Sequence, residues 1–107
     1  MERIEAPSQL ADVADAYAVR VVGESMEPRY FPGEIVYCHP NMPLRKGDFV
    51  VAQISENGNE GSLQGFVKRL VSIDDTKLVL AQYNPPKEMK FPRNRVHSVH
   101  KVVLSTT

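Results

Sequence analysis

Gly65-Phe66-Val67-Lys68-Arg69-Leu70-Val71-Ser72-Ile73, then Asp74-Asp75-Thr76-Lys77, then Leu78-Val79-Leu80-Ala81-Gln82-Tyr83 is the stretch from which the fold is read. Two runs rich in β-branched and large apolar residues flank four residues of turn chemistry, a pattern that predicts a β-hairpin. Side chains alternate faces along a strand, so Phe66, Lys68 and Leu70 share one face while Val67, Arg69 and Val71 share the other. Whichever face is inward, one basic residue stands among apolar neighbours.

The same punctuation continues in both directions. Toward the N-terminus, Phe49–Ser55 follows the turn sequence Arg45-Lys46-Gly47-Asp48, Glu34–His39 follows Pro32-Gly33, and Ala18–Val22 ends at Gly23. Residues 56–62, with Gly58 and Gly61, predict a flexible hairpin loop. Toward the C-terminus, residues 84–95 contain Pro85, Pro86 and Pro92 and are expected to form a loop, because proline cannot donate to a central ladder. Val96–Leu104 is a final strand. Residues 1–16 are polar and weakly patterned, with Leu10, Val13 and Tyr17 spaced for one loose helical turn at most.

These six strands without a long helix predict a mostly β domain of short antiparallel strands, either a small barrel or a pair of packed sheets. No repeat, low-complexity tract or linker divides it. We therefore expect one domain over 1–107, with 1–16 as a polar N-terminal tail. Many binding modules fit that description, so architecture alone does not name a function.

Composition narrows the choice. The 13 basic and 13 acidic side chains cancel, whereas domains that grip nucleic acid carry a basic surplus to neutralise phosphate. A single cysteine, Cys38, rules out an internal disulfide and suits a reducing compartment. His97 and His100 are three apart in a strand and point to opposite faces, so no zinc site or other metal or cofactor is expected. No apolar run approaches the roughly 20 residues that cross a bilayer, and no signal-peptide pattern is present, so a cytoplasmic protein without membrane partners is expected.

The chemistry concentrates in Val22-Gly23-Glu24-Ser25-Met26-Glu27-Pro28 and in the run around Lys68. A strand ends in glycine and a serine follows within two residues, which puts a hydroxyl at a sheet rim near backbone N–H groups able to hold an oxyanion. The plainer alternative is a serine that caps a turn. If Lys68 points inward, desolvation disfavours its ammonium form. Lowering a lysine from its usual value to near neutrality takes roughly 4–5 kcal/mol, which a well-buried site supplies. A neutral amine can then take the proton from a serine hydroxyl. The plainer alternative here is an edge-strand lysine reaching into water.

Taken together, Val-Val-Gly-Glu-Ser-Met-Glu-Pro (21–28), Pro-Gly-Glu-Ile-Val (32–36) and Phe-Val-Lys-Arg-Leu (66–70) resemble the signature of the LexA, UmuD and phage-repressor peptidase family. The resemblance spans about Ala18 to Val103. It implies that Ser25 is the nucleophile, that Lys68 is its base, and that the domain is a compact, mostly β peptidase that hydrolyses a bond in its own upstream segment. The Met26 N–H is the candidate oxyanion donor. The resemblance also implies a homodimer, with Val96–Leu104 as the candidate dimer strand (the alternative being an interior sheet strand), and a RecA-type filament as co-inducer during DNA damage. Glu34 stands where the family often has aspartate and is assigned a turn, Arg69 a surface or salt-bridge role, and Cys38 a core position.

Relatives usually cut between a small residue and glycine well upstream of the serine. No Ala-Gly or Cys-Gly pair occurs in residues 1–24, and no helix-turn-helix pattern is present. The substrate bond and the DNA-reading module are thus expected to lie outside this stretch, whether it is a truncated form, a cleavage product or a short member. DNA would be contacted only through a separate N-terminal domain. Two rival roles remain at this stage: a UmuD-like processed subunit of a DNA-repair polymerase, and a small β interaction module whose serine and lysine are idle.

Overall fold

The computed structural model describes residues 13, 15–55 and 63–106, together with the backbone of Glu2–Glu5. The helical turn expected around Leu10 and the loop expected at 56–62 lie outside the described residues.

Among the described residues, eight strands form one antiparallel sheet: β1 (Glu2–Glu5), β2 (Tyr17–Arg20), β3 (Ile35–His39), β4 (Phe49–Ser55), β5 (Leu63–Ile73), β6 (Lys77–Tyr83), β7 (Pro86–Pro92) and β8 (Val96–Thr106). Their spatial order is β1-β2-β3-β8-β4-β5-β6-β7. The mostly β expectation holds, and six of the eight strands fall where the sequence pattern puts them. The other two form where no strand was expected. Residues 2–5, read as part of a polar tail, pair with β2. The proline-rich segment read as a loop contains β7, paired with β6 from Tyr83↔Pro86 to Lys77↔Pro92. Its prolines cap the ends of an edge strand, where a missing N–H costs no ladder bond.

The turns follow their residues. Asp48 accepts from the Arg45 N–H through its carboxylate (2.8 Å), and Gly47 takes φ +93°. The Asp74 carboxylate accepts from the N–H groups of Thr76 and Lys77 and from the Thr76 hydroxyl, closing the β5–β6 hairpin.

The sheet curls strongly. The loop after β2 is hydrogen-bonded to the end of β6, although four strands separate the two in the sheet order. The smallest dimension of the molecule, 27 Å, also far exceeds the about 10 Å of a single sheet layer. Two apolar clusters cover the two faces. One joins Val19, Val36, Cys38 and Val51 to Met26 and Tyr30 from the loop; the other joins Val50, Ala52 and Ile54 to Leu70, Leu78 and Leu80. Val51 belongs to one cluster and its neighbours Val50 and Ala52 to the other, so β4 is buried on both faces.

The strand expected to serve a dimer, β8, lies inside the sheet between β3 and β4. It pairs with β4 over Val96–Lys101 and with β3 over Lys101–Thr106, so each neighbour takes up one half of the strand.

Candidate active site

Lys68 arrives at the site from the middle of β5. It stands opposite Val50 in the β4–β5 ladder and shares its face with Phe66 and Leu70, both of which pack with the second cluster. The inward reading of Lys68 is therefore the one the fold adopts: the residue is only 6% exposed. Burial pushes its pKa below the ordinary lysine value, and the Lys87 ammonium on β7 pushes it further in the same direction.

Ser25 arrives from the opposite side on the loop between β2 and β3. Three residues after β2 ends, Gly23 turns the chain by taking φ +84°, a conformation that glycine adopts without penalty. The loop is closed at its base by Val21 N–H to Glu34 O (2.8 Å) and Gly33 N–H to Val21 O (2.9 Å). Met26 and Tyr30, each 1% exposed, fix it from below, with Tyr30 edge-on to Phe49. The Glu34 side chain accepts from the Phe31 N–H, the turn role its position suggested.

The two parts meet at the end of β6. Lys68 Nζ and Ser25 Oγ are hydrogen-bonded at 2.5 Å, and Lys68 Nζ also donates to Gln82 Oε1 at 3.2 Å. The N–H groups of Tyr83 and Asn84 both donate to the Ser25 carbonyl at 2.9 Å, and Asn84 Nδ2 donates to the Glu24 carbonyl at 3.2 Å. Hydroxyl and amine lie in a cleft of about 80 Å³ walled by Arg20, Val21 and Val22 on one side and by Gly65, Phe66 and Val67 on the other. That is room for a few atoms of an extended chain beside the nucleophile.

Chemically, the arrangement is a hydroxyl within proton-transfer reach of an amine that burial biases toward its neutral form. Met26, the candidate oxyanion donor, directly follows Ser25, and no acceptor among the described residues takes its N–H.

The remaining sequence candidates lie elsewhere. Cys38 is fully buried in the first cluster, and the Arg69 guanidinium sits over the Tyr83 ring at 5.9 Å. His100 Nδ1 is 2.6 Å from the Tyr17 hydroxyl, while His97 is exposed. Among the described residues, no three His, Cys, Asp or Glu side chains stand together as metal ligands would. No helix among them is long and apolar enough to cross a membrane.

The sequence reading missed Gln82, Tyr83 and Asn84. Gln82 carried a legible signal, since it continues the Leu78, Leu80 face and so puts a polar side chain on an apolar stripe, as Lys68 does. The backbone donors Tyr83 and Asn84 left no such trace.

The Peptidase S24-like family model matches residues 2–103. Repressor protein C of Rhizobium phage 16-3 is 47% identical over 107 residues, covering 98% of this chain and 41% of the relative. Prophage repressor CohE of Escherichia coli (strain K12) is 35% identical over 69 residues, covering 64% of this chain and 28% of the relative. The chain thus spans less than half the length of either repressor. With a family match across nearly its whole length, the chain belongs to the Peptidase S24-like family.

Proposed function

We propose that this domain is the self-cleaving Ser-Lys peptidase of a phage or prophage repressor, with Ser25 as nucleophile and Lys68 as general base. The observation that carries the reading is the hydrogen bond between Ser25 Oγ and the buried Lys68 amine. Neutral Lys68 removes the Ser25 proton as Oγ bonds to the scissile carbonyl carbon. The carbonyl oxygen becomes an oxyanion beside the Met26 N–H. As the carbon–nitrogen bond breaks, the leaving amine takes the proton from the Lys68 ammonium. Water, deprotonated by Lys68, then bonds to the acyl carbon, and Ser25 Oγ leaves with the proton returned from the Lys68 ammonium.

In the whole protein, this reaction would separate the domain from a DNA-binding module after DNA damage, with a RecA-type filament as co-inducer. A homodimer in the cytoplasm completes the proposal. The exposed Phe31 and Leu104 lie near the end of β8, where a second copy has an apolar surface to meet. The relatives' names are those of repressors, which favours this role over a polymerase accessory subunit.

Cleavage in trans tests the activity. A peptide containing Ala-Gly should be cut at that bond by the wild-type domain, and by neither Ser25→Ala nor Lys68→Ala. Absence of cutting by the wild type, or equal cutting by a variant, contradicts the assignment.

A further inference from the structure

Gln82 is a buried polar residue that the peptidase reaction, as described above, leaves without a task. It is 9% exposed and bonded at both ends of its amide. Nε2 donates to the Pro85 carbonyl at 3.0 Å, and Oε1 accepts from Lys68 Nζ at 3.2 Å. A carbonyl oxygen only accepts, so the NH₂ end must face Pro85, and the amide can turn only its oxygen toward Lys68. The Pro85 contact therefore fixes the orientation of Gln82 independently of the lysine.

We propose that Gln82 is the positioning residue of the base: it aims the lone pair of neutral Lys68 at the Ser25 hydroxyl. The inference rests on the Ser-Lys reading and deepens it. A neutral amine has two N–H groups and one lone pair. An amine with no acceptor beside it rotates about its last carbon–nitrogen bond and presents an N–H or the lone pair to the serine with little preference. Gln82 Oε1 holds one N–H. The Phe66 ring, its centroid 5.9 Å from Nζ, covers another side. Among the described residues, the other polar partner of Nζ is Ser25 Oγ.

An amide suits this position better than a carboxylate would. It accepts from the amine without bringing a negative charge that would hold Lys68 as ammonium. The charged group that acts on the amine is Lys87, which faces Gln82 across the β6–β7 ladder and favours the neutral form. Arg20, from β2, lines the same cleft and is also cationic. Glu24 and Glu27 belong to the serine loop, and neither contributes to the shift of Lys68. One strand end thus serves both partners: Gln82 orients the base, while Tyr83 and Asn84 hold the serine loop.

The test follows covalent labelling of Ser25 by a fluorophosphonate across the pH range, in the wild type, Gln82→Glu and Gln82→Met, with thermal unfolding as the control for folding. In the wild type the labelling rate should rise with pH as Lys68 loses its proton and then level off. Gln82→Glu keeps an acceptor toward the amine but adds an anion and gives up the donation to Pro85, so its midpoint should move up by about one pH unit or more, whatever its plateau. Gln82→Met removes the acceptor, so its plateau should fall by about 10-fold or more, with no upward shift of the midpoint.

Lysine-selective ¹³Cε NMR gives the Lys68 midpoint independently of the probe, and must show the same upward shift in Gln82→Glu. Profiles of both variants that superimpose on the wild type overturn the proposal. So does a shifted midpoint in Gln82→Glu together with an unchanged plateau in a folded Gln82→Met, which would make Gln82 a mere electrostatic neighbour. Failure of the Ser-Lys reading itself looks different: Ser25 in the wild type is not labelled, or is labelled equally in Lys68→Ala, and the proposal falls with it.

Discussion

Val50 and Lys68 stand directly opposite each other in the β4–β5 ladder, one fully buried and the other only 6% exposed. The fold thus spends a core-facing strand position on an amine. Its neighbours on that face are apolar, which burdens the ammonium form and favours the neutral one. Stability and chemistry are set against each other at this position.

The first prediction follows from that conflict. The pKa of Lys68 is lowered in the folded state, so between its folded value and the ordinary 10.5 the unfolded chain binds more protons than the folded one. In that window stability rises with pH. Lys68→Met removes the titrating group and with it this contribution. The unfolding temperature of Lys68→Met relative to wild type should therefore be highest at the acid side of the window and decline as pH rises, as read by paired calorimetric scans.

Gly23→Ala should cost stability through the backbone alone. A Cβ there meets no atom within 4 Å, but φ is +84°. The expected loss is about 1–2 kcal/mol by urea unfolding. Because Ser25 lies two residues on, Ser25 labelling should slow as well.

Leu80→Ala should be far more damaging to the fold than any change in the cleft. Leu80 is fully buried in the second cluster, opposite Leu70. A loss of about 2–5 kcal/mol is expected in denaturant unfolding.

Leu104→Lys tests the proposed dimer surface. Leu104 is 42% exposed near the end of β8, so a charge there should leave the fold intact while shifting sedimentation toward monomer. Unaltered sedimentation of a dimeric wild type and its variant would place the contact elsewhere.

Much of this molecule was legible from residue patterns because its strands are bounded by strong turn chemistry. Phe49–Ser55 coincides with β4, and Asp74 closes the hairpin that its residues announced. Alternation also identified the misfit of Lys68 among apolar neighbours, although only tertiary packing decides that its face is inward. The β7 strand was missed because its prolines speak against a central strand and say nothing against an edge. Glu2–Glu5 offered too few apolar residues for a periodic signal, and only its pairing with β2 defines it. In the site, Ser25 and Lys68 were visible through their motifs. The Tyr83 and Asn84 contacts were not, because a backbone N–H donor has no side-chain signature.

The central claim, that buried Lys68 activates Ser25, is tested most directly by mass spectrometry of the domain after fluorophosphonate treatment at mildly alkaline pH. The account predicts a single adduct on Ser25 in the wild type, and its loss in Lys68→Ala despite an intact fold and an unchanged hydroxyl. An adduct that forms on Ser25 at the same rate in both proteins would contradict it.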